Sequence, residues 1–129
     1  MDARDRAKLN ALSSKVAIIG VGTTPFGALY RTRDPLRSAY SLGFEAFKNA
    51  LEDCGARKED IDGIILSRVP SYSKFCAMVG LRNLRLTNIL EPGGIMSGSA
   101  FQWAMEAVYC GMASVVACVY GNIGRSIRD

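Results

Sequence analysis

The run Glu91-Pro92-Gly93-Gly94-Ile95-Met96-Ser97-Gly98-Ser99-Ala100 has residue types suited to holding an anion or a carbonyl oxygen. It leads from an apolar, strand-like stretch into an amphipathic helical one. Successive glycines let a backbone pass close to a ligand. The first N–H groups of a helix lack intrahelical partners and lie at the positive end of its dipole. Gly94, Met96, Ser97 and Gly98 are therefore the candidate substrate-binding residues. A tight turn followed by a Ser97 helix cap fits the same letters equally well.

Other chemistry is sparse. The chain contains no histidine, so it supplies no imidazole base of its own. Its four cysteines, Cys54, Cys76, Cys110 and Cys118, lack paired metal-ligand spacing and sit among apolar neighbours, the pattern of reduced core thiols. No metal site is expected. Gly20 and Gly22 suggest a dinucleotide turn, but Pro25 occupies the third glycine position and no helical pattern begins at once. Tyr72, Tyr109 and Tyr120 could each donate a proton, although buried tyrosines more often belong to a core. Arg31 and Arg33 could meet a phosphate, but solvated loop arginines are the commoner case.

The elements that must position these residues follow from hydropathy. At 129 residues, 49% hydrophobic and 22% charged, the chain suits one globular domain. Its net charge of +4 is scattered rather than gathered into a basic stripe, which argues against nucleic-acid binding. No apolar run approaches the ~20 residues of a membrane span, and the polar start resembles neither a signal nor a transit peptide. The expected location is the cytoplasm.

Residues 1–14 read as an N-terminal arm with a weak helical pattern at Ala7, Leu9, Ala11 and Leu12, and residues 15–129 as the folded domain. Val16 to Val21 has the pattern of a strand buried on both faces. Asp34-Pro35 signals a helix start, followed by apolar spacing from Leu36 through Cys54 to a Gly55 cap. Ile64 to Ser67 reads as a second strand, giving a βαβ unit. Pro70 to Arg82 fits a short helix and a loop-rich excursion equally. Leu84 to Leu90 is a third strand. Ser97 to Cys110 is a helix burying Ala100, Trp103, Ala104, Ala107 and Val108. Ser114 to Tyr120 is another buried strand. The alternation predicts an α/β layered domain with a mostly parallel sheet. A polar loop after that last strand leaves the layering unclosed, as in part of a larger fold.

Five ordered features carry a resemblance across about residues 15 to 129: Lys15 to Gly27, Ala50 to Gly55, Asp60 to Gly63, Gly94 to Ala100, and Ala113 to Gly121. Together they resemble the N-terminal part of the thiolase superfamily, nearest its sterol-carrier-protein-type branch. The resemblance implies part of a layered α/β/α/β/α fold with a mostly parallel mixed sheet, of which this chain would be the first portion of the first half. It implies chemistry on coenzyme A thioesters, with acyl-CoA as substrate and no tightly bound cofactor. In that family a cysteine at the start of the buried helix is acylated, its thiolate favoured by the helix dipole. Ser97-Gly98-Ser99-Ala100 match that setting, but Ile95 occupies the cysteine position, so no catalytic residue carries over.

Without a nucleophile, an acyl-enzyme cannot form at this position. Similar proteins include aldolase subunits that cleave a β-hydroxyacyl-CoA with an OB-fold partner, and non-catalytic subunits of thiolase-like complexes. The resemblance therefore implies a homo- or hetero-oligomer with a thiolase-like or OB-fold partner. The alternative is a structural or assembly subunit, or a fragment.

Overall fold

The computed structural model describes residues 3–4, 14–26, 34–90 and 93–124. The proposed arm, apart from three of its residues, lies outside this set, as do Arg31, Arg33, Glu91 and Pro92. In order the elements are α1 (Ala39–Cys54), a 3-10 turn (Lys58–Asp60), β1 (Gly63–Ser67), α2 (Tyr72–Val79), β2 (Leu86–Leu90), α3 (Met96–Tyr109) and β3 (Val116–Tyr120).

The three strands are parallel in the order β2-β1-β3. Ser67 at the end of β1 stands level with Leu90 on one side and Tyr120 on the other. β1 is buried at all five positions, as a central parallel strand covered on both faces must be. Ile64 and Leu66 face a core shared with Phe47 of α1 and with Phe75, Cys76 and Val79 of α2. Ile65 faces the opposite way, toward Leu90 and Ala100, with Met96, Ala104 and Cys118 packed around them. Helices α1 and α2 thus cover one face and α3 the other. These three layers form an α/β/α arrangement around a parallel sheet.

The start of the sheet is joined at Asp62. Its backbone N–H and that of Gly63 donate to the Val115 carbonyl at 3.1 Å, while its own carbonyl accepts from Arg85 at 2.7 Å and Leu86 at 3.2 Å. Its carboxylate accepts the Ser114 and Val115 N–H groups at 2.8 Å, and Arg85 stands 3.7 Å away. One residue therefore sets the starts of all three strands. Partial burial opposes its ionisation, but the Val115 and Ser114 N–H groups and the Arg85 charge outweigh that cost and hold its pKa below the ordinary carboxylate value.

Three expectations change. Val16 to Val21 joins no strand and is largely exposed: Ile18 is 72% and Val21 68% exposed. Both sides of β1 are already occupied, and this segment lies along α1 instead. The Val21 N–H donates to Asp53 at 2.9 Å, and the Asn49 amide donates to the Thr23 carbonyl at 2.9 Å. A Cβ at Gly20 would come 2.5 Å from the Ala50 carbonyl, and one at Gly22 would strike the backbone of Ala46 and Ala50. Their spacing serves close contact with a helix, not a nucleotide phosphate.

Second, α1 starts at Ala39, not at Pro35. Asp34 caps a preceding turn by accepting the Leu36 N–H at 2.9 Å. Ser38 and Ser41 then form a reciprocal capping box at 2.8 and 3.2 Å, which fixes the later start. Third, Trp103 is 45% exposed, because Ala100, Ala104 and Ala107 form the stripe that seats α3 and Trp103 falls on its flank. The ambiguous stretch after Pro70 is helical from Tyr72, capped by Ser71, whose hydroxyl accepts the Lys74 N–H at 3.3 Å.

Asp62→Ala leaves the Ser114 and Val115 N–H groups without their acceptor, so it should lower stability by roughly 2–4 kcal/mol in urea unfolding. Because the folded-state pKa is depressed, the wild-type contribution is present above the unfolded value of about 3.9 and disappears as pH falls through the folded value. The acid limb of the stability profile should flatten in the variant.

Candidate functional site

The carboxyl ends of parallel strands, where ligands of open α/β sheets bind, meet the start of α3 in this fold. The connection from β2 closes with the Met96 N–H donating to the Gly93 carbonyl at 3.2 Å. Ile95 then takes the N-cap position and provides no side-chain cap, and the first helical turn holds no acid. Its carbonyl accepts the Ser99 N–H at 3.2 Å. The Ser97 and Gly98 N–H groups consequently lie in an uncapped first turn at the positive helix end.

The four predicted binding residues divide. Gly94, Ser97 and Gly98 are exposed, and a Cβ at either glycine would meet nothing within 4 Å. Met96 is partly buried and packs toward Ile65, Leu90 and Ala100, so it anchors the turn to the sheet. Ser97 is not the cap. Closure of the Gly93–Met96 turn puts the cap two residues earlier, at Ile95, whose side chain is 75% exposed.

No cysteine lies in the turn or first helical turn from Gly93 to Ala100. Cys110 is at the opposite end of α3, about 21 Å from the helix start at 1.5 Å per residue, and is exposed rather than in the core. Cys118 donates to the Ala100 carbonyl at 3.6 Å, and burial pushes its thiol up to about 11. Cys54 points back to the Ala50 carbonyl at 3.2 Å, and burial raises Cys76. Among the described residues no cluster of His, Cys, Asp and Glu could hold a metal, and no helix is long and apolar enough to cross a membrane.

Sequence reasoning gave Tyr120 little weight and missed its setting. Val116 and Cys118 face α3, so Tyr120 follows them on that side of the sheet. Its phenol accepts from the Asn122 amide at 3.2 Å. The available signal was a tyrosine ending a buried strand and followed at once by Gly121-Asn122, turn residues that can fold back upon it. Tyr72 and Tyr109 are also half-exposed, but the first begins α2 on the other face and the second ends α3.

The chain matches no family model. A steroid side-chain-cleaving aldolase of Thermomonospora curvata is 29% identical over 112 residues, covering 85% of this chain and 27% of that protein. The solved Ltp2-ChsH2(DUF35) aldolase superposes with a TM-score of 0.74 at 29% identity, over 88% of this chain and 29% of that one. An SCP2-thiolase like protein type 1 from Mycobacterium smegmatis gives a TM-score of 0.67 at 22% identity, over 83% and 23% of the two chains. The chain therefore spans less than a third of the length of these relatives. Its fold is thiolase-like, and its similarities include aldolases.

Alkylation with iodoacetamide at pH 8 should modify the exposed Cys110 well before Cys76 and Cys118, whose thiols burial both shields and raises. Peptide mass spectrometry reads the order, and early labelling of Cys118 would contradict its placement against α3.

Proposed function

We propose that this chain is a thiolase-like subunit that binds an acyl-CoA without forming an acyl-enzyme and supports retro-aldol cleavage of a β-hydroxyacyl-CoA within a hetero-oligomer. The observation that carries this reading is the open, uncapped start of α3, where the sequence resemblance aligns Ile95 with the thiolase cysteine. The Ser97 and Gly98 N–H groups would hold the thioester oxygen and stabilise it as negative charge develops there. A retro-aldol step needs such donors but no covalent intermediate. The aldolase names of two similar proteins favour this chemistry over Claisen cleavage.

Assembly has separate support. Phe101, Met105 and Tyr109 recur at four-residue spacing on one side of α3 and are about half-exposed. A contiguous apolar face of this kind marks an interaction surface. The same observation favours the second reading, a non-catalytic assembly subunit. The partner class in either reading is a thiolase-like or OB-fold protein.

Gly98→Leu separates the readings. Its new side chain enters open space and should preserve the thermal midpoint. If the helix start binds the thioester, calorimetric titration of the native complex with propionyl-CoA should show at least a tenfold loss of affinity in the variant. Unchanged affinity, or no CoA-thioester binding by wild type, would favour the assembly role.

A further inference from the structure

The carboxyl end of the sheet brings a second chemical group level with the start of α3. Cys118 touches the Ala100 carbonyl at 3.6 Å. Two residues farther along β3 is an advance of ~6.6 Å, which equals about four residues of helix rise. Since α3 returns antiparallel to the strands, Tyr120 stands level with its first turn. Strand register brings Ser67 and Leu90 to the same level. Ser67 is almost wholly buried and Leu90 is apolar, which leaves Tyr120, half-exposed, as the accessible protic group of that row.

Its phenol is also held in place. The Asn122 Oδ1 accepts the Gly124 N–H at 2.8 Å, and a backbone donor requires the oxygen of the amide there. That fixes the Asn122 Nδ2 as the group facing the Tyr120 oxygen at 3.2 Å. An amide N–H can remain on a phenolic oxygen whether that oxygen is protonated or ionised. The arrangement suits a group that gives up and recovers a proton without moving.

We infer that Tyr120 is the proton-transfer residue of this site, positioned by Asn122. The inference rests on the retro-aldol reading above. The phenol of Tyr120 takes the β-hydroxyl proton of the substrate as it gives its own proton to Cα. The Cα–Cβ bond breaks, its electron pair goes to the thioester half, where Cα is protonated, and the hydroxyl oxygen becomes a carbonyl. The tyrosine ends as it began, no co-reactant is consumed, and a chain without histidine acquires an acid–base group.

The proton transfer at Cα can be followed alone. The native complex is incubated with propionyl-CoA in deuterium oxide, deuterium incorporation at Cα is measured by mass spectrometry, and affinity is measured in parallel. Wild type should exchange. Tyr120→Phe should slow exchange at least a hundredfold with affinity within threefold, and Asn122→Ala should slow it about tenfold, consistent with the usual size of acid–base contributions. A residue serving only the fold would alter affinity or the thermal midpoint instead of this rate alone. Exchange by Tyr120→Phe within threefold of wild type, or thioester binding by wild type without exchange, would overturn the role of Tyr120 and leave the binding reading standing. Failure of wild type to bind propionyl-CoA would overturn the reading beneath it.

Discussion

The arrangement depends first on Asp62, whose backbone and carboxylate together hold the starts of all three strands. Once those starts are level, five residues of strand bring the opposite ends level as well, at Leu90, Ser67 and Tyr120. Arg85 reinforces the junction by donating to the Gly111 carbonyl at 3.0 Å, just beyond the end of α3. The electrostatics at one edge of the sheet thus determine the geometry at the other. An ionised Asp62 suits this task because both of its oxygens then act only as acceptors and the charge strengthens each N–H bond.

At the carboxyl edge, small side chains set the approach of α3. Ala100 and Ala107 are buried and Ala104 packs beside them, so the helix lies close over β1 and β3. Close seating brings the first turn to the strand ends, where Gly94 and Gly98 leave room above the backbone. The Ile95 side chain cannot act as a nucleophile, while the N–H groups of the turn remain. The distinction between a helix start that holds an oxygen and one that also attacks carbon underlies the functional reading.

Much of this was legible in sequence. The cores of β1 and β3 read as continuous apolar runs, and Gly55 and Gly111 marked helix ends because both adopt left-handed backbone conformations there. The apolar run Val16 to Val21 misled for a physical reason: hydropathy reports a preference for burial, not the availability of a sheet partner. Asp34 and Ser38 are both competent caps four residues apart, and only the reciprocal Ser41 contact decides between them. Ser97 looked like a cap because turn closure at Gly93 is a backbone event with no side-chain signature. The roles of Asp62 and Tyr120 depend on contacts across 52 residues or on strand register, which local spacing does not encode.

In the proposed reading, α3 begins with an oxyanion site and no nucleophile. Its most direct measurement is a structure of the native complex with a bound CoA thioester. The thioester oxygen should lie about 2.7–3.1 Å from the Ser97 or Gly98 N–H, with no covalent bond to protein. A thioester bound away from this turn, or joined covalently to any side chain, would contradict it.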